Sequence, residues 1–147
     1  MKAKAMIKRL DNFLNRRDKS QAPTTKSIGD TTEQAALVFL TAQGLTLLDR
    51  NYHSLYGEID IVMADGKVVV FIEVRYRKSN AYGGGASSIT RNKQQKLIKT
   101  ANHYLQQQQA NVECRFDVID MSPAGYTATK NHQPFNFNWI KNAFIST

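Results

Sequence analysis

Two β-rich runs, Glu58 to Ala64 and Lys67 to Arg77, flank the dipeptide Asp65-Gly66, and both are apolar where they approach it. Asp-Gly between such runs is a strong hairpin signal, because both residues accept the positive φ that a two-residue turn demands. With Asp65-Gly66 as the turn, Ala64 pairs with Lys67, Val62 with Val69, Asp60 with Phe71 and Glu58 with Glu73. Side chains alternate across a strand. One face therefore reads Ile59, Ile61, Met63, Val68, Val70, Ile72 and Val74, all apolar. The other holds Val62, Val69 and Phe71 near the turn, with Glu58, Asp60, Glu73 and Arg75 at the far end. A hairpin apolar on both faces is normally covered on both, so the charged end is expected at the rim of a covered sheet.

The flanking segments supply the covers. Asp30-Thr31-Thr32-Glu33 precedes helical spacing at Ala36, Leu37 and Leu40, with Gly44 as the stop. Leu45 to Tyr52 reads as a first strand and Asn51 to Gly57 as a loop. A long helix is expected from Ile89 to about Gln108, capped by Ser87 or Ser88, with Leu97, Ile98, Ala101, Tyr104 and Leu105 as its apolar stripe. Cys114 to Ile119 reads as a fourth strand. Phe135 to Phe144 is apolar enough to pack on the body, without a clear element type. The order α-β-β-β-α-β predicts an α/β sandwich, a central mixed β-sheet with helices on its faces.

At 147 residues, one domain with a real core is expected. The net charge of +8 favours an anionic partner. Residues 1–27 carry eight Lys or Arg against two Asp, while the remainder carries twelve basic and ten acidic side chains. The chain thus divides into a basic N-terminal arm, 1–27, and a domain, 28–147. Such an arm suits either non-specific contact with nucleic acid or a solubilising tail. The single cysteine, Cys114, excludes an internal disulfide and a zinc cluster. No apolar run approaches membrane-spanning length, and the basic N-terminus lacks a signal-like apolar core. A cytoplasmic location and no membrane partner are expected.

Glu58, Asp60 and Glu73 are too close to remain ionised without a compensating cation. Either Arg75 bridges them as a surface salt-bridge ladder, or a divalent metal sits among them, with Asp60 and Glu73 as diagonal neighbours. Oxygen-only donors suit Mg²⁺ or Mn²⁺ rather than zinc. Arg77, Lys78, Arg91, Lys93 and Lys96 are candidate contacts for a polyanion backbone. Lys93 or Gln94 is also placed to reach the cleft from the long helix. Tyr82-Gly83-Gly84-Gly85-Ala86 before that helix lacks the lysine of a phosphate-binding loop and reads as a connector. Tyr52, His53 and Tyr56 are placed either to touch nucleic acid or to pack locally.

The helix carrying Glu33, the run Gly57-Glu58-Ile59-Asp60, the stretch Phe71-Ile72-Glu73-Val74-Arg75-Tyr76-Arg77 and the later Arg115-Phe116-Asp117-Val118 resemble the YraN family of bacterial proteins. That resemblance implies a restriction-endonuclease-like three-layer sandwich, similar to archaeal Holliday-junction resolvases. It further implies a Mg²⁺-dependent (or Mn²⁺-dependent) endonuclease acting on DNA, branched or junction DNA included, and a homodimer. The alternative is a nucleic-acid-binding protein on the same fold that does not cleave. By the resemblance, Asp60, Glu73 and Glu33 are metal ligands and catalytic residues. Glu33 equally fits the third position of a capping box. The nuclease pattern expects lysine two residues after Glu73, where this chain has Arg75. Arginine stays protonated, so it can stabilise charge but not act as a base.

Overall fold

The computed structural model describes residues 28–77, 89–124 and 134–146. The basic arm, Lys78, the glycine-rich run and the two serines proposed as caps lie outside them. The elements are α1 (Ile28–Ala42), β1 (Thr46–Ser54), β2 (Gly57–Asp65), β3 (Val68–Tyr76), α2 (Arg91–Gln107), β4 (Cys114–Pro123) and β5 (Phe135–Phe144). They form one five-stranded sheet in the order β1-β2-β3-β4-β5. The β3–β4 pair is parallel and the other three are antiparallel, so the sheet is mixed, as expected.

Helix α1 packs Ala36, Leu37 and Leu40 against Ile61, Met63, Val70, Ile72, Ile119 and Met121 on one face. Helix α2 packs Leu97, Ala101 and Tyr104 against Val62, Val69, Phe71, Phe116 and Val118 on the other. The result is the restriction-endonuclease-like three-layer sandwich. Val62, Ile61, Met63, Val70, Phe71 and Ile72 are all at most 2% exposed, each contributing about 1.5–3 kcal/mol by burial. This hairpin is the centre of the fold.

Its register differs from the expected one. Ala64 pairs with Val69, Val62 with Phe71 and Ile61 with Ile72, a slip of two residues. The turn is Gly66-Lys67, with Gly66 at φ +59°, because Asp65 stays in the ladder opposite Val68. The Asp65 carboxylate is tied to Arg115 Nη1 of β4 at 2.9 Å. An even slip leaves the faces unchanged, but it brings Asp60 abreast of Glu73 rather than diagonal to it.

Other boundaries also shift. The first strand, expected to end at Tyr52, continues through Ser54, and a two-residue turn at Leu55-Tyr56 joins Ser54 to Gly57. Helix α1 already includes Ile28, so Asp30 is no cap and the capping-box reading of Glu33 fails. Thr90 caps α2, its hydroxyl accepting from Lys93 N at 3.2 Å. The last segment is strand β5. Its period-two pattern Phe135-Asn136-Phe137-Asn138-Trp139 is legible once noticed, and Phe137 stacks on Phe39 of α1 at 4.5 Å. Trp139 meets the same ring edge-on, so both aromatic side chains pack against α1.

Candidate functional site

Strict alternation along β2 breaks at Asp60. Ile59 packs in the α2-side core while Ile61 and Met63 pack in the α1-side core, so the all-apolar face expected from the sequence is divided between two layers. The break matches β1. Arg50 pairs with Ile61 and Tyr52 with Ile59, and between them Asn51 takes a left-handed φ of +50°. Asparagine tolerates that conformation better than most residues. The β2–β3 ladder also ends at Ile61–Ile72. There the Asp60 side chain replaces a ladder bond, its Oδ2 accepting from Val74 N at 2.8 Å. Asp60 therefore sits where two central strands part, between the layers.

The electrostatics follow from that position. Burial, then the neighbouring Glu73, push the Asp60 carboxyl up to about 8, with Glu33 and Glu58 adding to the rise and the Val74 N–H opposing it. Three of the four acids were legible as a group on one hairpin end. Glu33 joins them from α1, held by a bridge the sequence did not reveal. With its amide nitrogen toward the carboxylates, Asn51 donates to Glu33 Oε2 at 3.0 Å and to Glu58 Oε1 at 3.3 Å. Arg50 Nη1 donates to Gln34 Oε1 at 2.8 Å, fastening the same turn of α1 to β1.

The cation at this site comes from α2. Lys93 Nζ forms an ion pair with Glu73 Oε1, and Glu73 is itself 8% exposed. Gln94 instead turns back to Ile89 O at 3.1 Å, so of the two helix residues considered, Lys93 is the one that reaches the carboxylates. Arg75 is half-buried two residues beyond Glu73 and lies abreast of Asp120 in the parallel ladder. Arg77, expected at a polyanion backbone, lies 3.9 Å from Asp120 Oδ1. Asp120 is a site-flanking acid that the sequence analysis passed over. Its signal was its place at the carboxyl end of the strand parallel to β3, which only the pairing supplies.

Arg91, Lys96 and Lys99 are exposed on α2. Lys99 Nζ stands 5.9 Å from the Tyr56 ring centroid, and Glu58 faces His53 Nδ1 at 3.9 Å. Tyr52 is committed to packing, its hydroxyl bonded to His103 Nδ1 and its ring edge-on to Tyr104. Asp117 is structural, accepting from Arg115, Trp139 and Asn142.

As donors, Asp60 and the three glutamates around it offer the oxygen-only set that suits a hard divalent ion. The positions are not closed into a cage. Among the described residues, no three His, Cys, Asp or Glu side chains converge to enclose a metal, since Lys93 holds Glu73 and Asn51 holds Glu33 and Glu58.

The profile of the uncharacterised protein family UPF0102 matches residues 32–121. This chain belongs to that family. A UPF0102 protein of Nitrosomonas europaea is 44% identical over 116 residues, 79% of this chain and 92% of the relative. A UPF0102 protein of Stutzerimonas stutzeri is 45% identical over 124 residues, 83% and 98% of the two chains. The UPF0102 protein YraN of Salmonella typhi is 48% identical over 107 residues, 71% and 82%, which bears out the resemblance drawn from the motifs. The family match takes in Glu33, Asp60, Glu73, Lys93 and Asp120 and leaves out residues 1–31. No helix among the described residues is long and apolar enough to cross a membrane.

Proposed function

We propose that this protein is a divalent-metal-dependent endonuclease that hydrolyses DNA phosphodiesters, with branched or junction DNA as substrate and a homodimer as the working form. The observation that carries the reading is the meeting of α1, β2, β3 and α2 around Asp60. Glu33, Glu58 and Glu73 raise its carboxyl, and Lys93 reaches in from the opposite layer. Structural ion pairs seldom leave a half-buried carboxylate with more acids than bases around it.

Asp60 and Glu73 would hold the ion, with Glu33 as a third oxygen donor. Such an ion supplies charge that polarises a phosphoryl oxygen and acidifies water. The chain's own part is positioning and charge. The Val74 N–H fixes the Asp60 carboxylate. Lys93 supplies the ammonium that resembling nucleases place two residues after the strand acid, and Arg75 keeps a permanent positive charge at that place. Arg91 and Lys96 on α2 would contact the phosphate backbone.

The test is incubation of the full-length protein with labelled duplex, flap, junction and single-stranded DNA, with Mg²⁺ or Mn²⁺, beside Glu73→Ala. Cleavage should fall at least about 100-fold in the variant, the scale on which losing one charge-stabilising group slows hydrolysis. Equal cleavage by both proteins would mark a contaminant and sink the proposal. A second reading, binding without cleavage, is favoured by one observation, the ion pair already occupying Glu73. It predicts DNA binding that is unchanged by metal and no product.

A further inference from the structure

The β1–β2 turn holds the most exposed large apolar side chain of the described residues. Leu55 is as exposed as in an extended chain and Tyr56 is half exposed. Single apolar residues in solvent are ordinary, so exposure alone carries nothing. What sets this tip apart is its rigidity and its surroundings. Tyr56 N donates to Ser54 Oγ at 3.0 Å, and Ser54 Oγ donates to Thr100 Oγ1 of α2 at 3.3 Å. Gly57, at φ +151°, runs so close to α2 that a Cβ there would meet Thr100 Oγ1 at 3.6 Å and Lys96 Cβ at 3.8 Å. The turn is thus fixed to a helix, yet it holds a leucine out in water.

The same helix lays a row of cations between this tip and the carboxylates. Lys93 binds Glu73, Lys96 lies beside Gly57, and Lys99 stands over the Tyr56 ring. Spaced three residues apart, they share one side of α2. At 1.5 Å rise per residue the row is about 9 Å long. That is about two to three nucleotides of one DNA strand, at 3.4 Å of axis each. Glu58, with His53 at 3.9 Å, is the acid nearest the tip and marks the boundary between the lysine row and the carboxylate group.

We propose that Leu55, backed by Tyr56, is a wedge that stacks against base faces at an already opened step, such as a nick, gap or branch. The nucleic acid backbone would follow Lys93, Lys96 and Lys99. The proposal rests on the nucleic-acid reading of the site and adds how an interrupted helix is told from a continuous one. A continuous duplex must be unstacked to admit a side chain, whereas an open step offers its bases without that cost. The lysine row would then set the phosphate at the carboxylates a few nucleotides from the opening.

The test reads binding apart from cleavage. Full-length protein without divalent metal is titrated at low salt onto a continuous duplex and onto the same duplex with a one-nucleotide gap, with 2-aminopurine at the gap edge. The wild type should prefer the gapped duplex by about 5-fold or more and quench the probe, in line with base-stacking energetics. The Leu55→Asn, Tyr56→Ser double variant should lose the quench. It should hold the preference to under about 2-fold, while its affinity for the continuous duplex stays unchanged. Both side chains lie at an exposed turn, and a matching thermal melt excludes unfolding. A preference that survives in the double variant overturns the wedge. So does a change in sedimentation mass, which would make the tip an interface between copies of this chain. Equal wild-type affinity for both duplexes defeats the wedge and leaves the nuclease reading standing, whereas no binding to any nucleic acid defeats both.

Discussion

Asp117 and Asp60 are two aspartates of one sheet, two strands apart, the first fully buried and the second half-buried, with opposite surroundings. Asp117 has no exposed side-chain surface and is saturated with donors. Its Oδ1 accepts from Arg115 Nε at 3.1 Å and Asn142 N at 2.9 Å. Its Oδ2 accepts from Arg115 Nη2 at 3.2 Å and Trp139 Nε1 at 3.0 Å. Asp60 has one backbone donor and three acids. A carboxylate buried among donors holds structure together, here fastening β5 to β4. A half-buried carboxylate crowded by acids costs stability, and that cost makes sense where a cation is to be received.

The largest expected effect of this contrast is at the satisfied aspartate. An asparagine side chain there would have to place an amide NH₂ where both carboxylate oxygens now accept, so Asp117→Asn should destabilise the fold by about 3–5 kcal/mol. In urea melts this should appear as a large fall in the midpoint, with the tryptophan environment of β5 lost first. An unfolding free energy within about 1 kcal/mol of wild type would show that Asp117 is not the fastening point.

Asp60→Asn should do the reverse. The folded-state pKa of Asp60, about 8, lies above its ordinary value of 3.8. The folded protein therefore binds this proton more tightly than the unfolded chain. The group's contribution is full below about pH 4 and is lost as pH rises to about 8. Asparagine keeps an acceptor for the Val74 N–H and carries no charge. In chelator at pH 8.5 the variant should melt several degrees above wild type, with the gain shrinking steadily toward pH 4. A gain that is flat with pH would remove Asp60 from the role of strained acid. Mn²⁺ should raise the wild-type melting temperature at pH 8.5 and leave Asp60→Asn unmoved.

Lys93→Met tests whether the α2 lysine competes with an ion for Glu73. Losing the ammonium should tighten Mn²⁺ binding by about 3- to 10-fold, on the scale of a partly exposed charge interaction, while slowing any cleavage. Calorimetry reads the first and gel assay the second. Weaker Mn²⁺ binding would mean that Lys93 builds the ion site rather than occupying part of it.

How far the sequence exposed this site depended on which interactions set it. The hairpin, its double burial and the grouping of Glu58, Asp60 and Glu73 follow from period-two patterning, which survives an even slip of register. The slip itself was set by Asp65 reaching Arg115 on a strand 50 residues away, which no local turn rule contains. The break at Asp60 was hidden for a related reason. Nothing in Gly57-Glu58-Ile59-Asp60 announces that alternation fails, because the cause is Asn51 on the neighbouring strand. The position of Lys93 was within reach of sequence reasoning, since helix spacing places it before the apolar stripe. Its partner was not, because the choice between Lys93 and Gln94 was made by Gln94 capping back onto Ile89.

Asn51 is the smallest lever and the most discriminating, because it joins two roles that substitutions can separate. Its backbone occupies the left-handed region, and its side chain spans Glu33 and Glu58. Asn51→Gly relieves the backbone and removes the bridge, whereas Asn51→Ala removes the bridge and adds strain of roughly 1 kcal/mol. If the bridge matters only by restraining two like charges, Asn51→Gly should lower the melting temperature slightly. Mn²⁺ should restore the loss, because an ion shared by the acids replaces the amide as their common partner. A loss confined to Asn51→Ala, untouched by Mn²⁺, would instead make Asn51 a residue that shapes β1 alone. The strand break at Asp60 would then owe nothing to the acids around it.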